Sequence, residues 1–215
     1  MTFDTLDSGL WTVHTSGGAS VEIENGRLKC SIPAHADPNA WAYIESRFVL
    51  AGAFSAQVDY ELTEALVGTT AAAGIQAVPE NLMKCVRDQT WEYSAGWHQY
   101  ETITASFHGN YSYHKFPGGN QAGSLLLTRN AGTGGWGQYN LGSGWITVYS
   151  YSPNHGDGPV QLGVWGWPAG AGTTVYFDNF VVDNVNVPEP ATLALLALGG
   201  VVVMARGRTL LASKA

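Results

Sequence analysis

The strongest constraint on the fold is an Asn-Gly pair between two short segments in which apolar and polar residues alternate. Residues 19–24 read ASVEIE, residues 27–32 read RLKCSI, and Asn25-Gly26 separates them. A two-residue type I′ turn favours Asn-Gly because both central residues need positive φ. The register that this turn imposes puts apolar pairs on one face and opposite charges on the other: Val21–Cys30, Ile23–Leu28, Glu22–Lys29 and Glu24–Arg27. The pattern predicts a β-hairpin.

The rest of the chain up to residue 186 also has the pattern of short strands. Residues 54–62 alternate with period two over their whole length, which predicts a half-buried strand. The glycine-rich stretch 130–144 is predicted to be a long hairpin connection, either a surface loop without a binding role or a binding loop. Charged residues are only 13% of the chain and 27 residues are Gly, which argues against a helical bundle. Further strands are predicted at 40–49, 70–78, 83–92, 98–107, 123–129, 145–151, 159–166 and 173–182.

Charge and cysteine content exclude several classes of protein. The residues up to Glu189 contain all 17 acidic and 7 of the 10 basic side chains, a net charge of −10. A body this acidic repels phosphate backbones, so we expect no nucleic-acid partner. Two cysteines, Cys30 and Cys85, cannot form a disulfide framework or a four-thiolate metal site. They either form one disulfide bond, if the protein is exported, or are two small side chains buried in the core.

The composition changes abruptly after residue 186, so we predict a β-sandwich domain over 1–186 and a separate tail over 187–215. Residues 191–205 carry no charge, and a helix of that length spans about 22 Å, short of the roughly 30 Å hydrocarbon core of a bilayer. A short transmembrane helix with its basic end in the cytoplasm is one interpretation of this segment, and a buried core helix is the other.

The tail resembles the PEP-CTERM sorting signal of exopolysaccharide-producing Gram-negative bacteria. The resemblance is carried by an apolar run preceded by Val187, Pro188, Glu189 and Pro190 and followed by Arg206 and Arg208. It implies recognition by an exosortase-type sorting protease, a transient anchor in the inner membrane, and cleavage near the Pro-Glu-Pro motif. The product is then expected at the cell surface or in the extracellular matrix.

The first residues differ from those of most such proteins. Met1 is followed by Thr-Phe-Asp-Thr-Leu-Asp, which has neither the basic nor the apolar region of a secretory signal peptide. We expect either a start further upstream or a chain that is a fragment. A cytoplasmic protein with an accidental tail is the third interpretation.

Residues 3–183 resemble the concanavalin A-like lectin/glucanase superfamily, also called LamG-like jelly rolls. The opening residues Phe3-Asp4 and Leu10-Trp11, the hairpin 21–32, and the closing segments 161–165 and 175–182 carry the resemblance. It implies an all-β jelly roll made of two antiparallel sheets, to which the tail adds a C-terminal hydrophobic helix.

Catalytic motifs are weak in this sequence. Glucanases of the superfamily carry Glu-x-Asp-x-x-Glu on one strand, and the nearest run here is Asp59, Glu61 and Glu64, on the polar side of its strand. A solvated surface is the better interpretation of that run. Three histidines interleave with tyrosines and suggest either a His/Tyr site or scattered surface residues: His98, His108 and His114. We therefore predict no catalytic residues.

Aromatic residues are the better candidates for ligand contacts. Indole faces stack on sugar C–H surfaces, and the predicted carbohydrate-binding residues are Trp136, Tyr139, Trp165 and Trp167. Core or edge packing is the alternative for Trp165 and Trp167. The superfamily resemblance also raises a structural Ca²⁺ at Asp4 and Asp178, near the first and last strands.

These observations predict an exported surface or matrix protein with a non-catalytic carbohydrate-binding β-sandwich, whose partner is a polysaccharide or matrix glycan. A diverged polysaccharide hydrolase or lyase is one alternative, and a purely structural matrix protein is another.

Overall fold

The computed structural model describes residues 3–186 except 35, 37–38, 64–69, 78–82, 94–96, 108–109, 117–121, 131–133, 152–156 and 168–171. The described part contains fourteen strands and confirms the all-β prediction. They are β1 (Trp11–Ser16), β2 (Ser20–Glu24), β3 (Arg27–Ile32), β4 (Ala40–Ser46), β5 (Val49–Leu62), β6 (Thr70–Ala77), β7 (Met83–Tyr93), β8 (Trp97–Phe107), β9 (Asn110–Phe116), β10 (Ala122–Asn130), β11 (Gly134–Asn140), β12 (Ile146–Tyr151), β13 (Val160–Trp167) and β14 (Thr173–Asn186).

The strands form two antiparallel sheets of seven. Sheet A has the order β1-β4-β13-β6-β7-β8-β9, and sheet B has the order β12-β11-β10-β5-β14-β3-β2. Sequence neighbours often lie in different sheets, as β13 in sheet A and β14 in sheet B show. Such crossovers are typical of the jelly roll that the sequence predicted.

The core lies between the sheets and is built from one side of each strand. Leu28, Val58 and Phe177 are buried on sheet B, and Ile44 and Leu162 are buried on sheet A. Because side chains alternate across a strand, the residues between them point outward and form the outer faces of the two sheets.

The predicted N-terminal hairpin is confirmed in detail. Asn25 has φ of 52° and Gly26 has φ of 76°, as a type I′ turn requires. All four predicted pairs occur in the β2–β3 register. Lys29 Nζ lies 3.1 Å from a Glu24 carboxylate oxygen and 3.9 Å from a Glu22 carboxylate oxygen, so opposite charges meet on the outer face.

The predicted connection at 130–144 is wrong, because its central residues, Gly134–Asn140, form β11. Gly135 and Gly137 take the inward positions of this strand, opposite Arg129 and Leu127 of β10. Glycine leaves room there for the larger partners, and Arg129 uses the space to reach the carbonyl oxygen of Gly52. The glycines therefore belong to a strand whose neighbour supplies the bulk.

Two further predictions can be compared with the fold. Cys30 is a free thiol, fully buried, whereas the side chain of Cys85 lies outside the described residues. The predicted tail 187–215 and its C-terminal helix also lie outside the description, and the domain boundary stays a prediction. Within the part that is described, no helix has the length and apolar character needed to cross a membrane.

Candidate functional site

The outer face of sheet A carries a cluster of aromatic rings on β1, β4 and β13. Trp41 and Tyr43 point outward from β4 because Ala40, Ala42 and Ile44 take the inward positions. Strand register places His14 beside Tyr43 and Trp165 beside Trp41. We call these four residues, His14, Trp41, Tyr43 and Trp165, the aromatic cluster.

Tyr43 is the centre of the cluster and contacts the other three rings. His14 stacks on Tyr43 with ring centroids 4.8 Å apart and planes 20° apart. Tyr43 also lies 5.3 Å from Trp41 and 6.0 Å from Trp165, centroid to centroid. Desolvation by burial, and to a lesser degree the charge of Glu45, raises the pKa of Tyr43. The phenol therefore stays neutral and can both donate a hydrogen bond and offer a ring face.

A row of polar side chains runs beside the aromatic cluster across β6, β13 and β4. Gln76 Nε2 donates to Gln161 Oε1 at 2.5 Å, and Gln161 Nε2 donates to Glu45 Oε2 at 2.6 Å. Gln161 is only 6% exposed, so its two amide contacts hold it firmly. We call Gln76, Gln161 and Glu45 the polar row, and the row with the aromatic cluster forms face A.

A glycine sets the close packing between the row and the cluster. Gly163 lies opposite Tyr43 on one side and opposite Gly74 on the other. A Cβ at position 163 would lie 2.3 Å from Tyr43 Cβ and 2.4 Å from the carbonyl oxygen of Ala42. The lack of a side chain there lets Tyr43 sit against the sheet between the Trp41–Trp165 pair and the polar row.

The outer face of sheet B has a different character. A groove of about 360 Å³ lies there, lined by residues of β3, β5, β10 and β14. Asp59 and Asp178 are register partners at its centre, and Asp59 accepts hydrogen bonds from Ser124 Oγ at 2.6 Å and Asn179 Nδ2 at 2.9 Å. Asn179 reaches Asp59 from a β-bulge, where its φ is 50°.

The Arg27 side chain at one end of this groove is already paired. Its Nη1 lies 2.5 Å from Glu61 Oε2, and its guanidinium lies 4.3 Å from the ring centroid of Tyr176. Tyr176 in turn donates a hydrogen bond to Glu24, which lowers the pKa of that carboxyl. The outer face of sheet B is thus acidic and offers no aromatic cluster like that of face A within the described residues.

The four predicted carbohydrate-binding residues fall in different places. Trp165 belongs to face A, whereas Trp136 points outward from sheet B, opposite Thr128 of β10. Tyr139 points into the core and is 5% exposed. Trp167 ends β13, and its side chain lies outside the described residues. The structure therefore does not bring these four residues together.

The two predicted calcium ligands, Asp4 and Asp178, lie in different surroundings. Asp178 faces Asp59 across the strands, and Asp4 lies beside Gly26 at the hairpin turn. Ca²⁺ takes six to eight oxygen ligands, yet no group of three or more His, Cys, Asp or Glu side chains is gathered in the part of the chain that the structure describes. Calcium at Asp4 and Asp178 stays a prediction.

The His/Tyr alternative can be examined at one pair. His114 Nδ1 of β9 lies 3.3 Å from the hydroxyl of Tyr139. Burial raises the pKa of Tyr139, and this makes the phenol a poorer general base at neutral pH. His98 has an undescribed side chain, and His108 lies outside the described residues.

Of the seven residues of face A, only Trp165 was predicted from the sequence as a ligand contact. Trp41 and Tyr43 alternate with Ala40 and Ala42, so the large rings of this strand point away from the core while the small residues face it. That inversion of the usual pattern is a local signal that was available. His14, Gln76 and Gln161 carry no comparable signal, because only strand pairing brings them to the same face.

Comparison with known proteins finds a sorting motif in the tail and solved structures that share the fold of the domain. Residues 186–208 match the PEP-CTERM protein-sorting motif, which includes the predicted Val187, Pro188, Glu189, Pro190, Arg206 and Arg208, all outside the described residues. The motif indicates an exported protein with a C-terminal sorting signal. No curated protein matches the chain at a significant level.

Solved structures share the fold at low sequence identity. An endo-acting O-glycanase structure from prominent members of the human gut microbiota has a TM-score of 0.60 at 11% identity, over 86% of this chain and 97% of that chain. A lectin from Bauhinia forficata in complex with GalNAc gives 0.58 at 11%, over 85% and 96%. The β-glucanase of Bacillus licheniformis gives 0.55 at 9%, over 84% and 94%. The likeness establishes the fold alone, a jelly roll of two antiparallel sheets like those of these lectin and glucanase structures.

Proposed function

For a concanavalin A-like sandwich that carries a PEP-CTERM motif, we propose an exported surface or matrix protein that binds carbohydrate through face A without cleaving it. The observation that carries this proposal is the aromatic cluster lying beside a row of hydrogen-bonding side chains on the same face of the sheet. Sugar binding needs both, because the C–H face of a pyranose packs on an aromatic ring while its hydroxyls need polar partners.

The cluster is well suited to stacking. Trp41 and Trp165 keep part of their surface exposed although they are among the largest side chains of the sheet. A large aromatic residue gains most from full burial, so two neighbouring indoles kept at an outer face are better explained by a ligand than by packing. Tyr43, held in place by its close approach to Gly163, fixes the orientation of the rings.

The single described carboxylate of face A favours binding over hydrolysis. Glycosidases use two carboxyl groups, about 5–5.5 Å apart in retaining enzymes and about 6.5–9.5 Å apart in inverting ones. Among the described side chains of face A, Glu45 is the one carboxylate, and it is bound to Gln161. This arrangement favours binding over a diverged hydrolase or lyase, and the aromatic cluster favours it over a purely structural matrix protein.

Affinity measurements with single variants test the binding site. The panel consists of soluble glucan, galactan and mannan, each with its C6-oxidised form, measured by affinity electrophoresis and calorimetry. We expect Trp165→Ala to weaken binding at least tenfold, which is about 1.4 kcal/mol. Trp136→Ala is the matched control on sheet B and should leave the affinity unchanged. Equal loss in both variants, loss in the control alone, or no binding by the wild type contradicts the proposal.

The tail is proposed to direct sorting. An exosortase-type protease would recognise residues 187–190, the apolar segment would hold the protein in the inner membrane until cleavage, and the domain would then reach the cell surface or matrix. The test is the size and location of the protein in a host with the sorting system. Replacement of Pro188, Glu189 and Pro190 by Ala should leave an uncleaved membrane-bound form. Normal cleavage of this variant contradicts the proposal.

A further inference from the structure

We infer that Glu45 makes face A selective for neutral glycans with free hydroxyl groups and against glycans that carry carboxylates. This inference rests on the proposed function, because it concerns the ligand of the same face. It adds the chemical class of the ligand and the residue that determines it.

The direction of the hydrogen bonds in the polar row leads to Glu45. Gln76 donates to Gln161, and Gln161 donates to Glu45. The row therefore ends on a group that, when ionised, only accepts hydrogen bonds. The carbonyl of the Gln161 amide accepts from Gln76, and its N–H donates to Glu45. Gln161 therefore holds Glu45 in place without neutralising its charge.

Glu45 keeps unused acceptor capacity. A carboxylate has about four lone-pair positions, and the described contacts of Glu45 are the hydrogen bond from Gln161 and an approach of 4.0 Å between its Oε1 and His14 Nε2. That separation is too long for a hydrogen bond. A ligand hydroxyl beside Tyr43 can therefore donate a hydrogen bond to Glu45. Two hydroxyls on neighbouring carbons of a sugar ring can both donate to this carboxylate.

The charge of the surroundings strengthens the preference. The cations that the structure describes near Glu45 are His14, when protonated, and Arg47, which donates to Thr12 Oγ1 at 3.3 Å and forms no described ion pair with Glu45. The residues up to Glu189 carry a net charge of −10. A ligand carboxylate at this position would meet Glu45 without a described Lys or Arg partner and inside an overall repulsive field.

Matched pairs of neutral and oxidised polysaccharides test the inference. In glucan, galactan and mannan, oxidation at C6 turns a hydroxyl into a carboxylate and leaves the backbone linkage unchanged. We expect the wild-type protein to bind a neutral form at least tenfold more tightly than its oxidised form. Glu45→Gln should reduce that ratio to within threefold, because the amide accepts the bond from Gln161 and can also donate to a carboxylate.

Three controls separate the possible outcomes. Glu45→Asp keeps the negative charge and should keep the preference for the neutral glycan. Glu61→Gln removes a negative charge from sheet B and should leave the ratio of the two affinities unchanged. Added salt should narrow the wild-type ratio, because it screens the repulsion. Thermal melts of each variant exclude loss of fold.

Equal binding of neutral and oxidised forms by the wild type, both abolished by Trp165→Ala, would overturn the inference and leave the proposed function standing. A ratio unchanged in Glu45→Gln would overturn the inference in the same way. Binding that Trp165→Ala does not weaken would instead refute the proposed function.

Discussion

Replacement of Gly163 by Ala perturbs the fold and face A at the same point. The new Cβ would lie 2.3 Å from Tyr43 Cβ, 2.6 Å from Tyr43 Cα and 2.4 Å from the carbonyl oxygen of Ala42, where ordinary contact is 3.4–4 Å. Two of these three atoms belong to the backbone of β4, so a change of side-chain rotamer cannot relieve the clash. Strands β4 and β13 must separate by about 1 Å. Overpacking costs about 1–3 kcal/mol, and the backbone contacts place this variant at the upper end.

The assay is urea unfolding followed by tryptophan fluorescence, together with a thermal melt. For a chain of this size about 3 kcal/mol corresponds to a fall in Tm of about 6–12 °C. Glycan affinity should fall as well, because Tyr43 moves. Gly142→Ala is the control for backbone strain without a clash: nothing lies within 4 Å of its Cβ, so its cost in stability comes from the φ of 100° alone and its glycan affinity should stay that of the wild type. A loss of stability below about 0.5 kcal/mol in Gly163→Ala would refute the register assigned to β13 against β4.

Three further variants test the fold. The hydrogen bond from Arg129 holds the pKa of Asp157 below its ordinary value of 3.8, so this carboxylate stabilises the fold at neutral pH and loses its effect as pH falls through the lowered value. Asp157→Asn should therefore lower the urea midpoint at pH 7, and the difference from wild type should close well below pH 3.8; a difference independent of pH would be inconsistent with this. Burial raises the pKa of the Cys30 thiol. In a Cys85→Ser variant, a thiol reagent should therefore react with Cys30 only after unfolding. Rapid labelling of the native variant would contradict the burial of Cys30. Gly26→Ala places a side chain at φ of 76° and should cost about 1–2 kcal/mol, measured by the same melt, and an unchanged Tm would argue against the type I′ turn.

Local patterns in the sequence predicted eleven of the fourteen strands that the structure describes, and they missed β1, β9 and β11. The hairpin at Asn25-Gly26 could be paired residue by residue, because a two-residue turn fixes the register of both strands. Strand β5 was found from its alternation, although it begins at Val49 and not at 54. Strand β11 was missed because glycine is rare in strands and the bulk opposite Gly135 and Gly137 comes from β10.

The candidate site could not be assembled from the sequence for a physical reason. Face A joins His14, Tyr43, Gln76 and Gln161, which lie on four strands that pair only in the folded sheet. Periodicity tells which residues share a face of one strand, but it does not tell which strands become neighbours. Trp165 was a candidate because it and Trp167 lie two residues apart on a predicted strand and so point to one side. Tyr139 was chosen as an aromatic residue of the glycine-rich stretch, and the fold places it in the core.

Nuclear magnetic resonance mapping of a bound glycan tests the central claim most directly. The indole N–H signals of Trp41 and Trp165 and the side-chain amide signals of Gln76 and Gln161 should shift together as the glycan is added. The indole signal of Trp136 should stay in place, because it lies on the opposite sheet. Shifts confined to Trp136 and the groove of sheet B would contradict face A as the carbohydrate-binding surface.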